Sequence, residues 1–365
     1  MPSFCSPRER NRCASALFLR ASVALAAVLL LMTAPGQVAA QAARQEAPLP
    51  VFEFHSGFWI NLHHFLYQQA RIPKSTSRQT KSSGARSFGT AASTDRLTQQ
   101  EQQAWAAALD YYARELADRD LLFNGDMVNI NNRLSEMEDC ADLSGRSLRQ
   151  CASGLRDELI AALERAAPVY RARWWPEHDR SNRSWTATVA PMVRQFGVEL
   201  AQQLAATYRA DWPAGRLRVD VVFYGGPFGA YTTLDPVHLT ISSADSRNQG
   251  TAALEVLFHE ASHALAGAVR DTIARECRAR GKPIPRDLWH ALLFYTTGEI
   301  VKRALSTPEI SRGSSPGSYT PYAYRYGLYT RGWSDYQRVL ERYWQPYLDG
   351  RAEFDLAVSH LVANL

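Results

Sequence analysis

Two histidines and a glutamate on one predicted helix are the residues of this 365-residue sequence whose types and spacing point most clearly to chemistry. Residues 256–265 read VLFHEASHAL, which places His259, Glu260 and His263 in the pattern H-E-x-x-H. Residues i and i+4 of an α-helix lie on one face about one turn apart, so both imidazoles can bind one Zn²⁺ at about 2.0–2.1 Å. Glu260 can then take a proton from a zinc-bound water, whose pKa the metal lowers to about 7. The pattern predicts a zinc site that activates water.

The same segment resembles the zinc-binding helix of the zincin metallopeptidases. The resemblance covers this helix and a small sheet predicted before it, and it implies His259 and His263 as ligands and Glu260 as general base. The metzincin extension is absent, because the positions that would need Gly and His hold Ala266 and Val269. The resemblance therefore implies the gluzincin-like arrangement, in which a glutamate from a later helix is the third ligand.

The next predicted helix, residues 286–305, offers Glu299 and His290 for this third position. If the metal helix continues to about residue 280 and the chain then reverses, the two helices form a hairpin. At a rise of 1.5 Å per residue, Glu299 lies about one turn short of the level of His263, and His290 lies about 20 Å short. We therefore expect Glu299 to be the third ligand, with His290 as the alternative.

Other interpretations of these residues remain open. A metal helix that ends at Gly267 would weaken the argument from helix levels and favour His290. Glu255, one turn before His259 on the same face, is a further candidate for the third position, and we expect it to contact a ligand at most. Glu299 could instead be a solvated charge paired with Lys302 or Arg303, and His259 and His263 could be ordinary core histidines.

Peptide hydrolysis also requires a donor that stabilises the tetrahedral oxyanion besides the metal. The segment 318–333, SYTPYAYRYGLYTRGW, contains five tyrosines, of which Tyr322 and Tyr326 are our candidates for this role. The alternative is that the tyrosine-rich segment only packs over the metal helices.

The segments that surround these residues predict an α+β fold that is mostly helical and that must hold them in place. Helical spacing dominates residues 41–210, apart from a polar segment at 74–94 that predicts a flexible loop. Three short strands are predicted at 217–224, 230–235 and 237–242, immediately before the metal-binding helix. We expect a helical N-terminal region followed, over 211–365, by a zincin-like catalytic region with a small antiparallel sheet.

Residues 1–40 have the order of a secretory signal peptide: a basic leader, an apolar run and the small residues Val38-Ala39-Ala40. The pattern predicts export to the periplasm or secretion, without stable membrane insertion after cleavage. An oxidising compartment permits a disulfide, and Cys140 and Cys151 are the candidates for one. The net charge of +5 is spread along the chain without a basic cluster interleaved with aromatics, which argues against nucleic-acid binding.

The function predicted from the sequence is that of an exported zinc-dependent metallopeptidase acting on a peptide or protein substrate. An amidase acting on cell-wall peptide would use the same metal site and is the first alternative. A non-catalytic binding protein with the zincin fold is the second, although the presence of Glu260 argues against it.

Overall fold

The computed structural model describes residues 51–76, 97–140, 154–306 and 319–365. The predicted signal peptide and residues 77–94 of the predicted loop lie outside the described residues, and the first helix continues to Thr76. Residues Leu49–Leu365 group into one unit. Of the helices that the structure describes, none combines the length and apolarity that a bilayer span requires.

Helices account for most of the described residues, which confirms the mostly helical prediction. Several of them have local start signals; the helix at Gln99, for example, begins with a complete capping box between Thr98 and Glu101. The helices are α1 (Phe58–Thr76), α2 (Gln99–Glu115), α3 (Gly125–Glu136), α4 (Asp157–Arg173), α5 (Trp175–Tyr208), α6 (Thr251–Ser262), α7 (Gly267–Ala279), α8 (Leu288–Leu305), α9 (Tyr322–Arg325), α10 (Ser334–Val339), α11 (Gln345–Leu348) and α12 (Phe354–Ala363).

The sheet has four strands in the order β1-β2-β4-β3, with β1 at Phe52–His55, β2 at Leu217–Val222, β3 at Ala230–Leu234 and β4 at Val237–Ser242. The three predicted strands are present, but the prediction of an antiparallel sheet is wrong. Only β3 and β4 pair antiparallel, whereas β1, β2 and β4 run parallel. The reason is that β3 lies outside β4 at the edge, so β4 returns beside β2 in the same direction; strands adjacent in sequence are not all neighbours in the sheet.

The sheet separates two apolar cores. Because successive side chains of a strand point to opposite faces, Val219 and Val221 of β2 join the core formed with α5, α6 and α8, as do Leu239 and Ile241 of β4. On the other face, Val222 joins the core formed by α1–α4. Helix α6, which carries the H-E-x-x-H pattern, therefore packs on one face of the sheet, and the N-terminal helices cover the other.

A buried ion cluster on this second face centres on Asp220, which is fully buried. Its carboxylate accepts two hydrogen bonds from Arg218 at 2.9 Å and another from His238. Burial disfavours the charged carboxylate, but the hydrogen bonds and charges of His238 and Arg218 outweigh it and lower the pKa of Asp220 to about 2. The cluster joins neighbouring strands β2 and β4.

We expect this cluster to make the stability of the protein sensitive to acid. A carboxylate whose folded-state pKa is depressed stabilises the fold above its unfolded pKa of about 3.9, and this contribution disappears as the pH falls towards the folded-state value. We expect Asp220 to contribute about 2 kcal/mol above pH 5 that is lost by pH 2. The check is urea unfolding of wild type and Asp220→Asn across this range. The difference in the free energy of unfolding between wild type and Asp220→Asn should become smaller as the pH falls. A difference that does not change with pH would contradict the expectation.

Cys140 is disulfide-bonded, and Cys151, the partner that the sequence suggests, lies outside the described residues. Cys277 is a free thiol buried in α7. Among the described residues, neither Cys140 nor Cys277 belongs to the histidine cluster described below.

Candidate metal centre

The helix that carries the H-E-x-x-H pattern is enclosed on every side. Residues 252–262 of α6 are all buried, because the helix lies between the sheet, α5 and α8. It ends at Ser262, whose hydroxyl donates a hydrogen bond to the carbonyl of Phe258 at 2.7 Å. A 3₁₀ turn, His263–Leu265, follows, and Gly267 begins α7. The predicted metal-binding helix therefore ends well before residue 280.

Three imidazoles converge at the end of this helix. Ligand nitrogens of His259, His263 and His290 all lie within 4.8 Å of one another, and Nε2 of His259 is 3.2 Å from Nε2 of His290. Two nitrogens bound to one tetrahedral zinc at about 2.0–2.1 Å are about 3.3 Å apart. The separation therefore fits two ligands of one metal ion, and the cluster can bind a metal.

All three imidazoles lie in an environment that keeps them neutral. Burial lowers the pKa of His263 to about 3, assisted by His290 and Arg270, and burial lowers the pKa of His290 to about 4. Burial and the two neighbouring histidines hold the pKa of His259 well below its usual range. A metal binds the neutral imidazole. Converging buried nitrogen lone pairs are costly without a common partner, which makes this donor set suitable for a metal ion.

The structure places Glu299 outside this cluster. Its carboxylate, on a side chain that is only 13% exposed, pairs with Nζ of Lys302 at 3.2 Å, so the pairing with Lys302 considered above is present but the charge is mostly buried. The expectation that Glu299 is a ligand assumed a continuous helix to residue 280, whereas the chain bends at His263–Leu265. The bend brings the first turn of α8 to the histidine pair, and His290, the alternative ligand, joins them.

Glu260 is buried beside the histidines. Its Oε2 lies 3.8 Å from Nε2 of His263 and accepts a hydrogen bond from the Thr232 hydroxyl at 2.7 Å. The same hydroxyl lies 2.9 Å from the Glu260 carbonyl oxygen. Burial raises the pKa of Glu260 to about 7, and the Thr232 hydrogen bond opposes that rise. Strand β3 thus orients the carboxylate that the sequence analysis predicts to be a proton acceptor.

An aromatic wall surrounds the three histidines. Phe294 stacks on His259 with ring centroids 3.6 Å apart, and Trp333 meets His290 edge-on at 5.7 Å. Trp289 of α8 meets His263 edge-on at 5.6 Å. Apolar walls exclude water and strengthen electrostatic interactions at the site.

The two candidate tyrosines reach this wall from the C-terminal segment. Tyr322 stacks on Phe294 at 5.7 Å, and Tyr326 packs on Tyr322 at 4.6 Å. Burial raises the pKa of Tyr322 to about 12, opposed by the charge of Arg247, with Glu260 among the groups that raise it. The Tyr322 hydroxyl is therefore protonated at neutral pH and within electrostatic range of Glu260. Tyr326 is one layer further out.

Glu255 fixes this tyrosine segment to the metal helix. Its fully buried carboxylate accepts hydrogen bonds from the Tyr319 hydroxyl at 2.6 Å and from the Tyr322 amide at 2.9 Å. A side chain at Gly298 would approach Pro321 to 2.7 Å and Glu255 to 3.0 Å, so α8 needs glycine here for the segment to pack. Glu255 thus anchors the tyrosine-rich segment 319–333, called the cap below, which carries Tyr322. It does not join the histidine cluster.

Removing this anchor should loosen the cap without removing the metal ligands. Glu255→Leu leaves the Tyr319 hydroxyl and the Tyr322 amide unpaired, at a cost of about 1–3 kcal/mol for each buried group. We expect faster hydrogen exchange across 319–333, lower stability in urea and unchanged metal stoichiometry. Tyr319→Phe, which removes one donor only, should have a smaller effect. Unchanged exchange at the Tyr322 amide in Glu255→Leu would contradict this role.

No protein family, no curated protein and no solved structure matches this chain. The likeness to zincins consequently remains a resemblance of the H-E-x-x-H helix. Function has to be derived from the chemistry of the histidines, Glu260 and their surroundings, since a fold by itself does not specify function.

Proposed function

We propose that this protein is a zinc-dependent metallopeptidase in which His259, His263 and His290 hold Zn²⁺ and Glu260 is the general base. The observation that carries the proposal is the convergence of three neutral imidazoles beside a buried carboxylate. Three histidines leave a fourth tetrahedral position for water or substrate, as catalytic zinc sites require. Three nitrogen ligands without thiolates favour zinc among the common ions, although imidazole also suits other transition metals.

The chain's own residues divide the hydrolytic step between them. Bound zinc supplies Lewis-acid activation of water and of the peptide carbonyl. Glu260 takes the proton of the attacking water at its carboxylate and delivers it to the departing amine nitrogen. Thr232 holds the carboxylate in the orientation that this transfer needs. The Tyr322 hydroxyl, which stays protonated at neutral pH, donates to the oxyanion of the tetrahedral intermediate.

Strand β3 is the best-placed strand to bind an extended peptide. The sequence leaves open which strand lies at the edge, and the order β1-β2-β4-β3 puts β3 there. Thr232 of β3 contacts Glu260, so a peptide aligned along this strand would pass the general base. Main-chain pairing with an edge strand supplies affinity independent of side-chain sequence.

The proposal is tested with the purified protein after zinc loading, on a mixed peptide library and on intact peptidoglycan peptide. We expect new amino termini in the peptide library, abolished by a chelator and restored by zinc. Cleavage confined to the cell-wall peptide would favour the amidase alternative. Zinc binding without turnover of either substrate would favour a binding protein.

A further inference from the structure

An arginine stacked beside the metal centre has no role in the chemistry described so far. Arg270 lies on α7, and its guanidinium sits over the ring of Trp289, 5.5 Å from the ring centroid. Trp289 in turn stacks on His290 at 5.2 Å and meets His263 at 5.6 Å. Arg270 is exposed to solvent, so this stack leads from the surface to two of the proposed ligands.

Arg270 is therefore separated from the proposed ligands His263 and His290 by one aromatic ring, that of Trp289. Asp287, a carboxylate whose charge acts on His290, has Arg286 3.9 Å away. Asp287 is therefore partly neutralised by another arginine, and it forms no ion pair with Arg270.

Arg270 also has no carboxylate partner anywhere in the part of the chain that the structure describes. Arg275, five residues later on the same helix, binds Asp355 at 2.8 Å. An exposed cation–π contact alone contributes only about 0.5–1 kcal/mol, whereas an arginine fork binds a carboxylate through two parallel hydrogen bonds. The guanidinium thus lies over Trp289 without a carboxylate partner among the described residues, so its donors are available to a ligand.

We propose that Arg270 recognises a carboxylate of the substrate on the Trp289 side of the metal. The substrate class is a peptide with an acidic group close to the bond that is cut. The carboxylate can come from a free C-terminus or from an aspartate or glutamate side chain. This inference rests on the proposed function and adds a substrate class to it.

The test uses four peptides with one common core, acetyl-Ala-Ala-Phe-Ala. Two of them consist of this core alone and end in a free carboxylate or in a C-terminal amide. The other two carry one further residue, glutamate or glutamine, and both end in a C-terminal amide. Wild type should cleave at least one acidic peptide with a kcat/KM about 10–100-fold above that of its neutral partner, the range expected for hydrogen bonds to a charged group. The first pair reports on a C-terminal carboxylate, and the second pair reports on a side chain.

Arg270→Gln should remove this preference by lowering kcat/KM on the acidic peptide alone, chiefly through KM, while the neutral peptides change less than about twofold. Arg270→Lys, which keeps the charge without the fork, should recover part of the preference. Arg275→Gln is the matched control on the same helix and should behave as wild type. Equal cleavage of acidic and neutral peptides by wild type, or the same preference in Arg270→Gln, would overturn the inference.

Binding to the zinc-loaded Glu260→Gln protein separates this inference from the proposed function. Calorimetric titration with the four peptides needs no turnover. A preference for acidic peptides that disappears in the double variant with Arg270→Gln supports carboxylate recognition even if no peptide is hydrolysed. Hydrolysis without any acidic preference in cleavage or binding leaves the peptidase and refutes the role of Arg270. Binding that does not distinguish acidic from neutral peptides, or no binding at all, also refutes it.

Discussion

Glu260→Gln should abolish most of the hydrolytic activity and leave zinc bound. Glutamine keeps the size of the side chain and can still accept the Thr232 hydrogen bond, but it cannot take a proton. General acid–base catalysis contributes about 10²–10⁴-fold to a rate, so we expect kcat to fall by that factor. Zinc should remain at one per chain, because Glu260 is not one of the three converging ligands. The measurement is steady-state kinetics on the peptide that wild type cleaves best, with zinc content determined on the same sample.

Thr232→Val is the matched control for this experiment. It removes the hydroxyl that orients Glu260 while preserving the carboxylate, so we expect a smaller loss of kcat, about tenfold, at unchanged zinc content. Full activity in Glu260→Gln with zinc present would show that another group takes the proton. Loss of zinc in that variant would instead place Glu260 among the ligands.

His290→Ala should remove the metal, whereas Glu299→Ala should keep it. His290 supplies one of three converging nitrogens, whereas the carboxylate of Glu299 forms an ion pair with Lys302. Loss of an outer partner of a ligand alone weakens metal affinity about 10–100-fold, so loss of a ligand should exceed 100-fold. Competition with a chromogenic zinc chelator measures both variants.

The two substitutions lie on one helix, so Glu299→Ala also controls for disturbance of α8. Circular dichroism should show the same helical content in both variants. Retention of zinc by His290→Ala, combined with its loss from Glu299→Ala, would reverse the assignment and restore the gluzincin-like arrangement that the sequence resemblance implies.

The sequence predicted the parts of the site that depend on local geometry. His259 and His263 are one helical turn apart, so their pairing follows from helix periodicity. Glu260, adjacent to the first of them, is likewise close to the pair in the structure. The strands before the helix were also predictable, because their alternating Val-rich segments are short-range signals.

The position of His290 beside the other two histidines was less predictable from the sequence, because it depends on where helix α6 ends. Ser262 bonds back to Phe258, and the chain turns at His263–Leu265 before Gly267 begins a new helix. A continuous helix would have moved His290 far from the pair. The sequence identified Gly267 as the position where the argument could fail, but it contained no signal strong enough to decide it.

Contacts between segments that are distant in the sequence could not be predicted from the sequence. Thr232 meets Glu260 across 28 positions, and Glu255 meets Tyr319 across 64. These contacts exist because β3 and the segment 319–325 both pack on α6, which is a property of the tertiary fold. The parallel pairing of β2 with β4 has the same origin, since it requires β3 to lie outside both of them.

X-ray absorption at the zinc edge of the zinc-loaded wild-type protein tests the central claim most directly. Outer-shell scattering from imidazole rings counts the histidines bound to the metal. We predict one zinc per chain with three imidazoles and first-shell distances of about 2.0–2.1 Å. Two imidazoles together with a carboxylate, or failure to bind zinc after reloading, would contradict the account.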